Sequence, residues 1–83
     1  MSVIKIVSTS VDTLTQVNAI MNKFKELEFD VLCGSHTFDG KSLVSSINAL
    51  KQDESIVHII GEDSAIEEFY NELSSKKIEY QIQ

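Results

Sequence analysis

The sequence predicts a single α+β domain, an open-faced two-layer sandwich in which an antiparallel sheet of roughly four strands carries three helices on one face. Three observations lead there. Short runs of alternating apolar and polar residues recur along the chain, the signature of half-buried strands. Between and after them stand three segments whose apolar residues fall at three- and four-residue spacing, the signature of helices with one buried stripe. The 83 residues include no Pro and only three Gly, so no linker or disordered segment interrupts the pattern. The element order reads βαββαβα, followed by a tail that either adds a last strand or frays.

Residues 3–8, VIKIVS, set Ile4 and Ile6 on one face and Val3, Lys5 and Val7 on the other, giving a first strand. From 14 to 27, Leu14, Val17, Met21 and Phe24 form a helical stripe that Ile20 and Leu27 widen. Asp12 or Thr13 can cap this helix, and Thr13 with Gln16 fits a capping box. Phe29, Val31 and Cys33 then alternate with Asp30, Leu32 and Gly34. Gly34-Ser35 turns the chain into a second extended piece around His36 to Phe38, which Asp39-Gly40 ends. A short second helix follows, with Ser42 as cap and Leu43, Ile47 and Leu50 at helical spacing.

The β-branched run ESIVHII, stopped by Gly61, is the next strand. A third helix opens with a Ser64/Glu67 capping box and carries Ala65, Ile66, Phe69 and Leu73 along one face. Ile78, Tyr80 and Ile82 alternate in the tail. Leu14, Val17, Met21, Phe24, Phe69 and Leu73 are the side chains expected to meet between the layers. Ferredoxin-like domains share parts of this order but place a single strand where this chain has a hairpin and a second helix; element order alone leaves them open.

Composition bounds the function. A domain this short buries only about 60% of its unfolded surface, so there is room for one small core. The net charge of −6 repels phosphate backbones and anionic lipid, which points away from nucleic acid and membrane surfaces and toward basic or apolar protein patches. A lone Cys33 excludes an internal disulfide and a cysteine cluster and suits a reducing, cytoplasmic compartment. No apolar run reaches the roughly 18 residues that span a bilayer, and no signal-type segment opens the sequence, so the chain reads as soluble and complete. His36 and His58 have no partners at ligand spacing, so no metal and no cofactor is expected.

Two stretches, FDGKSLVSSINAL (38–50) and NKFKELEFDV (22–31), resemble the histidine-containing phosphocarriers of the bacterial sugar phosphotransferase system, the HPr family. The first is similar to that family's hairpin tip and second-helix start, the second to the end of its first helix. The resemblance, which covers nearly everything up to Lys77, implies an HPr-like fold. In the family, activity lives in a Gly-Ile-His-Ala-Arg-Pro-Ala run at the start of the first helix, where the imidazole carries the phosphoryl group. Here that region reads TSVDTLT (9–15), without His, Arg or Pro and with a loop about three residues shorter. The resemblance therefore implies a non-catalytic HPr-like protein, not an enzyme: a protein-binding or regulatory module related to the phosphotransferase system. A working phosphocarrier that uses another residue and an unrelated α/β interaction domain remain as alternatives.

The start of the first helix, with Ser10, Asp12 and Thr13, offers unpaired N–H groups to an anion, although Asp12 fits a capping role better than an acyl phosphate. Ser46 matches the position where part of the family carries a regulatory phosphoserine opening the second helix, with Ser45 and Ser42 competing for the match. Val44 and Ile47 lie where phosphocarriers present an apolar patch to protein partners. His58 reads as a hydrogen-bonded strand histidine, His36 as part of the hairpin, and Cys33 as a small core residue. Glu62, Asp63, Glu67, Glu68 and Glu72 form a solvated helix face.

Overall fold

The computed structural model describes residues 2–83. Its elements are β1 (Ser2–Ile6), α1 (Val11–Lys23), β2 (Glu28–Cys33), β3 (His36–Asp39), α2 (Leu43–Leu50), β4 (Ile56–Ile60), α3 (Asp63–Ser75) and β5 (Tyr80–Ile82). The strands form one sheet in the order β3-β2-β4-β1-β5, with each neighbouring pair antiparallel. The predicted sandwich is the observed fold, and the tail is its fifth strand.

Side chains alternate across the sheet with the period of two that a pleated strand imposes. Ile4 and Ile6, Phe29 and Val31, and Val57 and Ile59 are buried under the helices, while Val3, Lys5, Asp30, Leu32, Ile56 and His58 lie half-buried on the other face. Leu14, Val17, Ile20 and Met21 of α1 and Ala65, Ile66, Phe69 and Leu73 of α3 close over the first set. Of the six side chains expected between the layers, Leu14, Val17, Met21, Phe69 and Leu73 have no exposed surface. Phe24 is half-buried and meets Phe69 edge-on, with centroids 5.6 Å apart and planes at 89°. Phe69 also packs on Phe29 at 4.7 Å, so one aromatic cluster joins α3 to β2.

Helix boundaries depart from the sequence expectation where capping chemistry was assigned to the wrong residue. Ser10, not Asp12 or Thr13, is the N-cap of α1: its Oγ accepts from Thr13 N–H at 3.4 Å, and its carbonyl accepts from Leu14 N–H at 2.9 Å. Asp12 then falls in the first turn, where a carboxylate complements the dipole. The helix also stops at Lys23, so buried Leu27 reaches the core from the connection to β2 rather than from the helix stripe. In α3 the expected Ser64/Glu67 box does not form, because the helix begins at Asp63 with Glu62 in the cap position and Ser64 already inside the first turn.

The turn from α3 to β5 is a Schellman motif built without glycine. Lys77 N–H donates to Ser74 O at 3.0 Å and Ile78 N–H to Leu73 O at 2.9 Å, with Lys77 at φ 58° in the left-handed region. Ile78, 5% exposed, packs down with buried Leu73, and the chain emerges aligned with β1. Tyr80 then stacks on Tyr70, centroids 5.1 Å apart and planes at 15°. The strand is therefore anchored at its start by the helix end and by this aromatic pair.

Candidate functional site

The connection from β3 into α2 is held more tightly than its polar sequence suggests. Gly40 N–H donates to Phe29 O at 2.7 Å, and a Cβ at Gly40 would sit 2.7 Å from Phe29 Cβ, so the backbone passes too close to β2 for any side chain. Asp39 Oδ1 accepts from Lys41 N–H at 3.0 Å, and its carbonyl accepts from Ser42 N–H at 3.1 Å. From α1, buried Asn18 Nδ2 donates to Gly40 O at 3.0 Å, and Asn22 Nδ2 to Lys41 O, also at 3.0 Å. Lys41 Nζ is committed to Phe24 O at 2.8 Å. The two asparagines went unrecognised in the sequence. Their signal is an i, i+4 polar pair beside the apolar stripe of α1.

This frame presents the first turn of α2 to solvent. Leu43 and Val44 are 54% and 68% exposed, and Ile47 lies one turn on from Leu43, half-buried against the core. The expected stripe of Leu43, Ile47 and Leu50 is thus only partly right. The buried face is Ser46, Ala49 and Leu50, which leaves Leu43 on the outer flank. Val44 and Ile47, the two residues singled out for a partner patch, belong with Leu43 to the outer flank of the same short helix.

Ser46 does not open α2. The helix begins at Leu43 with Ser42 in the cap position, which sets Ser46 one turn inside. Its Oγ is wholly buried with no hydrogen-bond partner among the described residues. A kinase cannot reach that hydroxyl in the folded domain, and a phosphate there would lie in the core.

At the start of α1, Ser10 Oγ is occupied by Thr13 N–H, and Ser8 Oγ accepts from Ser10 N–H at 3.1 Å. Asp12 is exposed and Thr13 half-buried. The structure adds what the sequence order hid: Lys76 and Lys77 of the α3–β5 turn line one shallow cavity of about 340 Å³ together with Ser8, Thr13 and Gln16. Two cations, with Glu79 beside them, therefore flank this helix start, whose residues from Ser8 to Thr13 include no imidazole. His36 sits at the same end of the sheet but on β3, three strands from β1 and so roughly 14 Å across the ladder. His58 lies in the middle of β4 on the face away from the helices, between Val3 and Asp30. His58 thus lies on the face opposite the α1 start, and His36 lies three strands away from it.

Two titratable groups are shifted by their neighbours. Burial, then a hydrogen bond and charge repulsion from Glu54, whose Oε1 is 3.5 Å from Cys33 Sγ, push the Cys33 thiol above its ordinary value. Lys23, whose Nζ lies 2.5 Å from Glu72 Oε2, holds that carboxyl below its usual range. Among the described residues, no group of three or more His, Cys, Asp or Glu side chains converges on a common point, and no helix is long and apolar enough to cross a membrane. Set against known protein families, curated proteins and solved structures, the chain matches none.

Proposed function

We propose that this protein is a non-catalytic binding module that docks a protein partner through the first turns of α2, with the phosphocarrier resemblance giving the class of partner: a component or regulator of a sugar phosphotransferase system. The observation that carries the reading is the exposure of Leu43 and Val44 on a helix whose entry is fixed by Asn18, Asn22 and Lys41. Two adjacent aliphatic side chains on a helix whose entry is hydrogen-bonded in place dock with little backbone ordering, and covering them removes apolar area from water at about 25 cal/mol per Å². With a net charge of −6, the partner surface that fits is apolar at its centre and basic at its rim.

The absence of phosphocarrier chemistry rests on the α1 start. Transfer onto the chain needs a nucleophile beside donors that stabilise the moving charge. Helix N–H groups and two lysines supply donors, but Ser10 is engaged as a cap and Asp12 adds negative charge where the incoming phosphoryl group would arrive.

Titration of the isotope-labelled chain with the general phosphoryl-donor enzyme of that system tests the docking. The expected result is a set of amide shifts centred on Leu43, Val44 and Ile47, with Val44→Lys weakening the interaction tenfold or more, about 1.4 kcal/mol. Saturating donor that leaves these amides unmoved, or shifts confined to another face, removes the proposal.

A further inference from the structure

The two edges of the sheet are finished differently, and one is left open to a further strand. At β3, the bond from Gly40 N–H to Phe29 O sets the pairing parity, so that His36 and Phe38 direct their backbone groups to β2 while Thr37 and Asp39 direct theirs outward. Asp39 blunts that edge. Its carbonyl is taken by Ser42 N–H, and its carboxylate places a negative charge on the rim. At β5, Val7 N–H donates to Glu79 O at 3.2 Å and Gln83 N–H to Val3 O at 2.9 Å, which makes Glu79, Gln81 and Gln83 the residues bonded to β1. Tyr80 and Ile82 therefore turn their N–H and C=O groups to the outside. From Tyr80 to Gln83 this edge carries no charged side chain and no Pro, in a chain whose net charge is −6. Ile82, 68% exposed, stands on the helix side of the strand, and a shallow cavity of about 440 Å³ lies at the strand's start, lined by Ser74, Lys77, Ile78, Glu79, Tyr80 and Gln81 among others.

We propose that β5 is a self-pairing edge, on which two copies of this chain join antiparallel about a two-fold axis at Gln81. Tyr80 exchanges its N–H and C=O with Ile82 of the second copy, Ile82 does the same with Tyr80, and Gln81 faces itself across the axis. The outward groups are spaced symmetrically about one residue, so the strand is its own complement, as an isologous contact requires. The pairing also brings Ile82 of each copy over the Tyr80 and Ile78 cavity of the other. Electrostatics favours the same edge over the Asp39 edge, because two acidic molecules approach more easily at a strip without charged side chains, preceded by Lys76, Lys77 and Glu79, whose charges sum to +1. A strand of three residues makes a small contact, so the dimer is weak and forms at the upper end of protein concentration.

Sedimentation equilibrium across a dilution series, paired with amide hydrogen exchange, tests this. The full chain should rise from one to two chain masses, with exchange at Tyr80 and Ile82 slowing as it does while Gln81 and Gln83 stay as they were. Ile82→Pro removes only an outward N–H, and Ile82→Lys adds charge at an exposed position; both should remain at a single chain mass with an unchanged circular dichroism spectrum. Thr37→Pro, the matching change on the β3 edge, should associate like the parent. A single chain mass at the highest concentration the protein reaches overturns the proposal. So does a dimer that survives both Ile82 changes, growth past two chain masses, or protection of Tyr80 and Ile82 that needs an added foreign peptide.

Discussion

Ser46 gives the sharpest stability test, because its burial and its lack of a partner pull in a known direction. The hydroxyl has no exposed surface and no hydrogen-bond partner among the described residues. Leaving such a group unsatisfied in a core costs about 1–3 kcal/mol. Ser46→Ala removes that cost, opens a gap of only one oxygen atom, and gains about 0.5 kcal/mol of helix propensity within α2. A net stabilisation of about 1 kcal/mol is expected, which for a domain of this size raises Tm by roughly 4–8 °C. Ser46→Asp does the opposite. It places a carboxylate with no cation or donor in the core, at several kcal/mol, against a total stability of about 4–12 kcal/mol for 83 residues. Urea unfolding followed by circular dichroism measures both. Loss of stability in Ser46→Ala would reveal a hydrogen bond at Oγ, and a neutral Ser46→Asp would place the residue on the surface, either of which refutes the packing of α2 described above.

Gly40→Ala should destabilise by about 1–3 kcal/mol, because the new Cβ would stand 2.7 Å from Phe29 Cβ and 3.0 Å from Phe29 O; the check is a lower urea midpoint with an unchanged slope. Lys77→Gly should stabilise by about 0.5 kcal/mol, since relief of the left-handed strain outweighs the added freedom of the unfolded chain; a Tm rise of roughly 2–4 °C measures it. Glu72 has its carboxyl lowered in the folded state by Lys23, so the stability it contributes is present above its ordinary value of 4.5 and is lost as pH falls through the folded value. Glu72→Gln should therefore be less stable than the parent at neutral pH, with the gap closing under acid; a gap that widens on acidification contradicts the assignment.

Elements that bury a continuous stripe were legible in the sequence. Ala65, Ile66, Phe69 and Leu73 could be picked out as the inner face of α3 by spacing alone, and all four are buried. Strand faces followed from alternation, as Ile4 and Ile6 against Val3 and Lys5 illustrate. The short helix α2 misled, because with eight residues a stripe of large side chains and a face of small ones compete, and packing against α1 and β2 chose Ser46, Ala49 and Leu50. Caps failed for a related reason: Ser10, Asp12 and Thr13 are all competent by type, and which one caps depends on where the preceding loop delivers the chain. Of the candidate site, Val44 was readable as an apolar residue beside the stripe of α2. Lys76 and Lys77 beside the α1 start were not, since more than 60 residues separate them from Ser8 and Thr13 and only the return of β5 along β1 brings them together.

On the proposed function, the chain should bind a phosphoryl donor and remain unmodified. The measurement that decides this most directly is incubation with the general donor enzyme and labelled phosphoenolpyruvate, followed by mapping of any acid-labile phosphate on the chain. No stoichiometric label is the predicted result, because Ser8 to Thr13 includes no imidazole, Ser10 Oγ serves as the helix cap and Asp12 adds negative charge where the phosphoryl group would arrive. Stoichiometric label on His36, His58 or Asp12 would contradict it and make the protein a phosphocarrier that uses a site of its own.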